Sequence, residues 1–468
     1  MATHIPWFGV PDRRVALRVG FGGLGAALLP GLLPAAAVRP GKVKTVIFLH
    51  QWGGPSHHDT IDMKPDAPSA VRGEFRPMAS SLVGVPVCER LPRLAKVIDR
   101  FCQIRSLNHT MKNHNSAGYY SLTGMAPPSD DQRLRDSREL FPAYGSIVDR
   151  FCPAPVGVPG FVAFPHQIAD GSITPGQHGS FLGKVHDPLF IGLDPAQPGF
   201  RLPELSLPEG VDPARLARRE TARALVEAQL GQLDKAPLAR GLAEQHGKAL
   251  ALLGSAKVRD AFDLSRESES VRDRYGRTTY GQSCLLARRL AEAGCRWIQV
   301  YFNRSIGGAK GGWDTHGFRG EPMYPILKDY LLPITDQTLP TLVEDLEERG
   351  LLETTLLVWV GEFGRSPRIN NIAGRDHWPQ CYPALLAGAG VKRGYIHGRS
   401  DKLGAYPASD PCRPEDLSAT LFHLLGIDPA TEIRDSLNRP LPLSPGRVLT
   451  ACSLSEFFKR RHFCHSNA

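Results

Sequence analysis

The strongest constraint on this chain is a recurring pattern of short, near-continuously apolar runs that break into Gly-containing polar loops. Thr45-Val46-Ile47-Phe48-Leu49-His50 runs out at Gly53-Gly54, and Thr355 to Val360 runs out at Gly361. A run without polar alternation has no solvent face, so it reads as a strand covered on both sides. Cys102 to Leu107, Phe161 to Phe164 and Arg296 to Phe302 read as further strands. Segments with helical spacing lie between them. Leu91, Leu94, Val97, Ile98 and Phe101 fall on one helix face. Pro325 to Arg349 is helical, with interruptions expected at Pro333 and Pro340 and a stop at Gly350. Asp416 to Leu425 is a helix ended by Gly426, and Asp212-Pro213 opens a charged helix to about Gln232. Strands alternating with helices predict an α/β fold, a mainly parallel sheet with helices on both faces.

The N-terminus reads differently. Asp12-Arg13-Arg14-Val15-Ala16-Leu17-Arg18 precedes an apolar, Gly-rich stretch from Val19 to Leu33, and then comes Ala35-Ala36-Ala37. Basic, apolar and small regions in that order make a signal peptide, and the paired arginines suit the twin-arginine route. The expected organisation is therefore a signal at residues 1–37 and one domain at 38–468, exported to the periplasm or outside the cell. No later apolar run is long enough to span a bilayer, so no transmembrane helix is expected in the mature chain. The signal carries a net +2 of the chain's +9, three Arg against one Asp, which leaves +7 for the rest. That mild excess suits an anionic substrate, or simply solubility. No Lys/Arg run with interleaved aromatics is present, which argues against nucleic acid. The nine cysteines are scattered without a C-x-x-C pair, so their spacing specifies neither a disulfide nor a cysteine metal cluster.

In open α/β sheets, sites form where strands end. Here the candidate strand ends lead into His50-Gln51-Trp52-Gly53-Gly54-Pro55-Ser56-His57-His58-Asp59, Asn108-His109-Thr110-Met111-Lys112-Asn113-His114-Asn115-Ser116, Gly312-Trp313-Asp314-Thr315-His316 and Gly361-Glu362-Phe363-Gly364-Arg365. A further loop holds Gly374-Arg375-Asp376-His377-Trp378. Imidazole and carboxylate are the ligands that borderline divalent cations favour, so the set of loops points to a metal site.

These loops also carry a resemblance. Gly53-Gly54-Pro55-Ser56 with Asp59 and Asp62, Arg72-Gly73-Glu74-Phe75, Leu91-Pro92-Arg93-Leu94-Ala95, Arg105-Ser106, Trp313-Asp314-Thr315-His316 and the two Arg-containing loops look like domain-of-unknown-function family 1501. The match spans essentially the whole chain after the signal. Family members are typically exported bacterial proteins, and their similarity to the alkaline phosphatase/sulfatase superfamily implies an alkaline phosphatase-like fold. In that superfamily a nucleophile opens a helix shortly before Leu-Thr-Gly. Counting back ten residues from Gly124 of Leu122-Thr123-Gly124 reaches His114, while Asn115-Ser116-Ala117-Gly118 resembles the phosphatase Asp-Ser-Ala displaced by two. Ser116 is the nucleophile in the shifted register, and His114 takes the position otherwise. Ser116 as a plain helix cap is the simpler alternative. No cysteine has the Cys-x-Pro/Ala-x-Arg context that a formylglycine sulfatase needs.

The resemblance also implies ligands, in altered form. The superfamily Ser-Asp-His-Gly appears as Gly361-Glu362-Phe363-Gly364, which keeps a carboxylate and replaces the imidazole with a phenyl ring. Asp314 and His316 look like the Asp…His pair of the other metal position, and His377 like the late histidine. Asp59 is a candidate to reach back toward the first strand, which ends in His50-Gln51. The expected metal set is Asp59, Asp314, His316, Glu362 and His377 around a divalent ion such as zinc or calcium. The expected catalytic set is His114, Ser116, Arg365 and Arg375, the arginines gripping the anion. Such a site would hydrolyse a phosphate or sulfate ester of an anionic small molecule or polysaccharide. The alternatives are a non-catalytic binding or assembly protein with a degraded site, and a protein with a purely structural metal.

Overall fold

The computed structural model describes residues 43–202, 218, 251–252 and 255–454. The signal segment and the charged helix expected from Asp212 to Gln232, residue 218 apart, lie outside these residues. Eight strands form the main sheet: β1 Thr45–His50, β2 Phe101–Leu107, β3 Phe161–Phe164, β4 Leu189–Phe190, β5 Trp297–Tyr301, β6 Thr355–Val360, β7 Tyr382–Gly388 and β8 Ile396–His397. Their order across the sheet is β8-β2-β7-β6-β1-β5-β3-β4. β7 runs antiparallel to both its neighbours, and every other pair is parallel. The principal helices are α1 Pro92–Val97, α2 His114–Thr123, α3 Tyr144–Phe151, α4 Thr279–Ala293, α5 Leu332–Glu348 and α6 Pro414–Leu424.

The apolar strand runs have the meaning expected of them. All six residues of β1 and all six of β6 are buried, and the two strands pair in parallel from Thr45↔Thr355 to His50↔Val360. Ile47 and Leu49 face a core shared with α1, α4 and α5, whereas Val46 and Phe48 face one shared with α2, α3 and α6. Helices therefore cover both faces, and the C-terminal ends of β1, β5 and β6 lie side by side on one edge.

Two expectations about helices change. The segment expected to break at Pro333 and Pro340 stays helical from Met323 to Glu348. One π turn, Leu327–Leu331, precedes Pro333 and accommodates a residue that has no N–H to give to the preceding turn. Pro340 lies inside α5 among buried Leu339, Leu342, Val343 and Leu346. Burial of that face outweighs the roughly 3 kcal/mol an interior proline costs. The helix expected from Leu91 to Phe101 is shorter, ending in a 3₁₀ turn at Ile98–Arg100 before β2 begins at Phe101. The Asp336 carboxylate of α5 accepts from the Arg93 and Leu94 N–H groups at 3.0 and 2.8 Å and so caps α1 from another element. No helix among the described residues is long and apolar enough to cross a membrane.

Candidate metal centre

Backbone packing at the strand ends explains how the site is assembled. Trp313 is fully buried between Phe302 and Trp359, and its indole N–H donates to the Gln51 side chain at 3.2 Å. Its own N–H bonds the Trp52 carbonyl at 2.8 Å, which pins the next residue, Asp314, against the loop after β1. Gly53 makes that approach possible: its φ is +105°, and a Cβ there would lie 2.3 Å from the Asp314 nitrogen. The Gly53 N–H in turn donates to Glu362 Oε1 at 2.8 Å, just past the end of β6. His377 stands on a two-stranded ribbon in which it pairs with Arg365. His114 is the first residue of α2.

These elements bring His114, Asp314 and His377 together, with one donor atom from each within 4.8 Å of the others. His114 and Asp314 are buried, while the His316 and His377 side chains are 36% and 26% exposed, so the cluster opens to solvent on that side. Asp314 Oδ1 pairs with Arg365 at 2.7 Å, accepts from His316 Nδ1 at 2.6 Å and lies 3.2 Å from His377 Nε2. Burial works against the charge of Asp314, but Arg365 first and then the three histidines hold the carboxyl far below its usual range.

His114 is oriented from behind. Its Nδ1 lies 2.8 Å from Glu362 Oε1, so Nδ1 donates to that carboxylate and Nε2 is turned toward Asp314 Oδ2 at 3.6 Å. Neither of those last two atoms has a hydrogen-bond partner, and Glu362 Oε2 also lacks one. Burial disfavours the imidazolium, yet the nearby Asp314 and Glu362 carboxylates prevail and push His114 up to about 9. His377 is set differently. Its Nδ1 faces the Lys112 carbonyl at 2.8 Å, which can only accept, so Nδ1 carries the proton. Burial pushes His377 down, toward the neutral ring, and Asp314 offsets this only in part. The bare Nε2 lone pair then faces a carboxylate oxygen, an arrangement that repels unless a cation lies between them.

The donor set therefore fits a divalent ion. Two imidazoles and a carboxylate converge, buried lone pairs are left without partners, and His114 is backed by a carboxylate as metal-bound histidines usually are. The family described as a protein of unknown function, DUF1501, matches residues 43–452. The chain belongs to that family. No curated relative matches in sequence. Among solved structures, a protein in the alkaline phosphatase superfamily from Vibrio parahaemolyticus is similar at 14% identity and TM-score 0.40, covering 96% of this chain and 81% of that one. The PsFucS1 sulfatase from Pseudoalteromonas sp. gives 12% identity and TM-score 0.37, over 83% of this chain and 68% of that one. The lipoteichoic acid synthase LtaP from Listeria monocytogenes gives 10% identity and TM-score 0.37, over 84% and 74%. These are resemblances of architecture, and what the site can do follows from its own residues.

Several expected site residues of this DUF1501 chain sit elsewhere. Asp59 is fully buried in an ion pair with Arg375 at 2.7 Å and accepts from Ser56 at 2.5 Å, so it serves the packing of the ribbon. Arg375 is fully buried too and gives its remaining donors to the Val71, Ser366 and Pro367 carbonyls, which leaves it nothing for an anion. Arg365 is fully buried and binds Asp314 and the Gly53, Gly54 and Arg375 carbonyls. Both arginines hold the site in shape rather than grip a substrate. Ser116 faces the 129–131 loop, its single O–H within reach of the Ser129 and Asp131 carbonyls at 3.1 and 3.0 Å and its oxygen accepting from the Asp131 N–H at 2.7 Å. It is neither a nucleophile at the cluster nor the cap of its helix, since α2 starts at His114. Glu362 stands behind His114 rather than among the three converging donors. His316 bonds Asp314 at the rim, outside the group of three.

Three contributors escaped the sequence reading. Trp52 sets its ring edge against His114 at 5.3 Å, Gly53 admits Asp314, and His109 Nε2 bonds the Glu362 carbonyl at 2.7 Å. The Gly-Gly pair after an apolar strand was the available signal for the second.

Proposed function

We propose that this DUF1501 protein is an exported, divalent-metal-dependent hydrolase of a phosphate or sulfate ester. The observation that carries the reading is the convergence of one donor atom each from His114, Asp314 and His377, with no hydrogen-bond partner on His114 Nε2 or Asp314 Oδ2. His114, Asp314 and His377 would hold one ion. A bound ion would polarise the ester oxygen and lower the pKa of a water nucleophile. Glu362 keeps the His114 ring turned and its Nδ1 protonated. Arg365 keeps Asp314 ionised. His316 bonds Asp314 through Nδ1 at the exposed rim, and it is the imidazole assigned here to carry a proton to or from the leaving group. The start of α2 lies beside the donors, and its first N–H groups have no partner inside the helix, so it favours negative charge.

A second reading has an observation of its own. Phe363 is fully buried, stacked on His377 at 4.7 Å and set 4.9 Å from His114, and both arginines are spent internally. A site packed in this way also suits a metal-holding binding protein without turnover. Metal-loaded protein assayed on aryl phosphates and aryl sulfates separates the two. The hydrolase reading expects turnover that a chelator abolishes and that His316→Ala reduces with metal still bound. Metal binding with no turnover across both ester classes would establish the second reading instead.

A further inference from the structure

The tip of the hairpin formed by Arg399–Ser400 and Pro407–Ser409 is turned by one residue. Asp401 takes the N–H groups of Leu403 and Ala405 on Oδ1 at 3.0 and 2.8 Å, that of Tyr406 on Oδ2 at 3.2 Å and that of Gly404 on its carbonyl at 3.0 Å. With these N–H groups gathered on Asp401, three consecutive carbonyls are left for other partners, and each meets a ring N–H. His58 Nε2 lies 2.7 Å from the Leu403 carbonyl, His57 Nε2 lies 2.7 Å from the Gly404 carbonyl, and Trp378 Nε1 donates to the Ala405 carbonyl at 2.6 Å. A carbonyl can only accept, so both histidines carry a proton on Nε2. Gly404 lets the rings come this close: its φ is +68°, and a Cβ there would lie 2.6 Å from His58 Nε2. His57 and His58 are buried, with ring centroids 4.1 Å apart, so the clasp on the hairpin tip is anchored inside the fold.

This clasp closes a circuit around His377. Trp378 follows His377 in the ribbon that pairs Gly364 with Trp378 and Arg365 with His377. Arg375, two residues before His377, bonds Asp59 at 2.7 Å, and Asp59 follows directly on His57 and His58. The chain on either side of His377 is therefore tied to the same loop after β1, on one side through Arg375 and Asp59, on the other through Trp378 and the hairpin tip. We propose that His57, His58 and Trp378 are positioning residues that fix the backbone at His377, so that its Nε2 meets the other two donors without local rearrangement. The proposal rests on the reading that His377 holds the ion. A ligand held in place before the ion arrives loses less freedom on binding, and affinity rises accordingly.

The test uses cobalt(II) as the probe, because its visible absorption reports coordination geometry, together with deuterium uptake of the metal-free full chain read by mass spectrometry. Trp378→Phe keeps a ring but removes the N–H, and Gly404→Ala forces the tip off the two histidines without touching any metal ligand. Leu403→Ala removes only an exposed side chain and keeps the carbonyl, so it is the control. In both Trp378→Phe and Gly404→Ala, cobalt affinity should fall about tenfold or more and the bound-cobalt spectrum should change. Uptake should rise in the peptide containing residues 375–378 and stay unchanged in β1 and β6. Leu403→Ala should match the wild type in all three readouts. Wild-type cobalt affinity and spectrum in a folded Trp378→Phe protein would overturn the proposal, whatever the uptake. A wild type that binds no cobalt would fail the metal reading instead, and the uptake at 375–378 would then decide the clasp: no rise in either variant would overturn it as well.

Discussion

Metal-free protein should lose stability as the pH rises from 6.5 to 9, with His114 as the main cause. His114 is raised from 6.5 to about 9 by Asp314 and Glu362 despite its burial. A raised folded-state pKa contributes stability that is fully present below 6.5 and is lost as the pH passes 9. At 1.36 kcal/mol per unit, the shift corresponds to about 3 kcal/mol. Most other buried groups with shifted pKa values act outside this window. His50, His57 and His109 are pushed down to about 4 by burial, so their effect falls below pH 6.5. Buried thiols such as Cys88 and Cys412 are pushed up to about 12, so their effect begins near 9, where the unfolded thiols ionise. His397 is also raised, through Cys452, and acts in the same direction as His114. Subtracting a His114→Gln profile removes that contribution. Urea unfolding in the presence of a chelator, at pH 6.5, 7.5 and 9, gives the curve. A wild-type profile flat to within about 0.5 kcal/mol, or one that His114→Gln reproduces, would refute the electrostatic account of the cluster.

The same proton sets the other predictions. A metal must displace it from His114 Nε2, so metal affinity should rise about tenfold per pH unit up to pH 9, as titration calorimetry would show. Glu362→Gln keeps the shape but removes the charge behind His114, and metal affinity should fall about 10- to 100-fold. Equal affinity would mean that Glu362 merely fills space. Ser116→Ala strands the Asp131 N–H and should cost about 1–3 kcal/mol in urea unfolding while leaving metal affinity and turnover unchanged. Lost turnover in a folded, metal-loaded Ser116→Ala protein would restore the serine as a nucleophile.

The strands were legible because a doubly covered strand must be apolar on both faces, and β1, β3 and β6 matched their expected limits to the residue. β7 was not expected. Its Pro383, Ala384 and Ala387 carry weak strand preference, and it forms because β6 and β2 flank it. At the site, residue type was a fair guide to where chemistry gathers but a poor guide to role. Asp314, His316 and His377 gather in one cluster, as their loops suggested. The roles of Arg365 and Arg375 depend on burial, and a loop arginine looks the same in sequence whether it meets an anion or a set of carbonyls. Asp59 meets Arg375 across 316 positions, a pairing that no local pattern encodes. The register of α2 was open because Ser116 fits a helix start as well as His114 does. The start is fixed by Asp130, which accepts from the Lys112 and Asn113 N–H groups at 2.9 and 3.0 Å.

The most direct test of the account is the metal content of the purified protein, read by elemental analysis and by titration calorimetry at pH 8 with zinc, calcium and manganese. The account predicts one divalent ion per chain, bound by the wild type and lost in Asp314→Ala and His377→Ala variants that remain folded by circular dichroism. A wild type that retains and binds no ion, or one whose binding survives both substitutions, would contradict it.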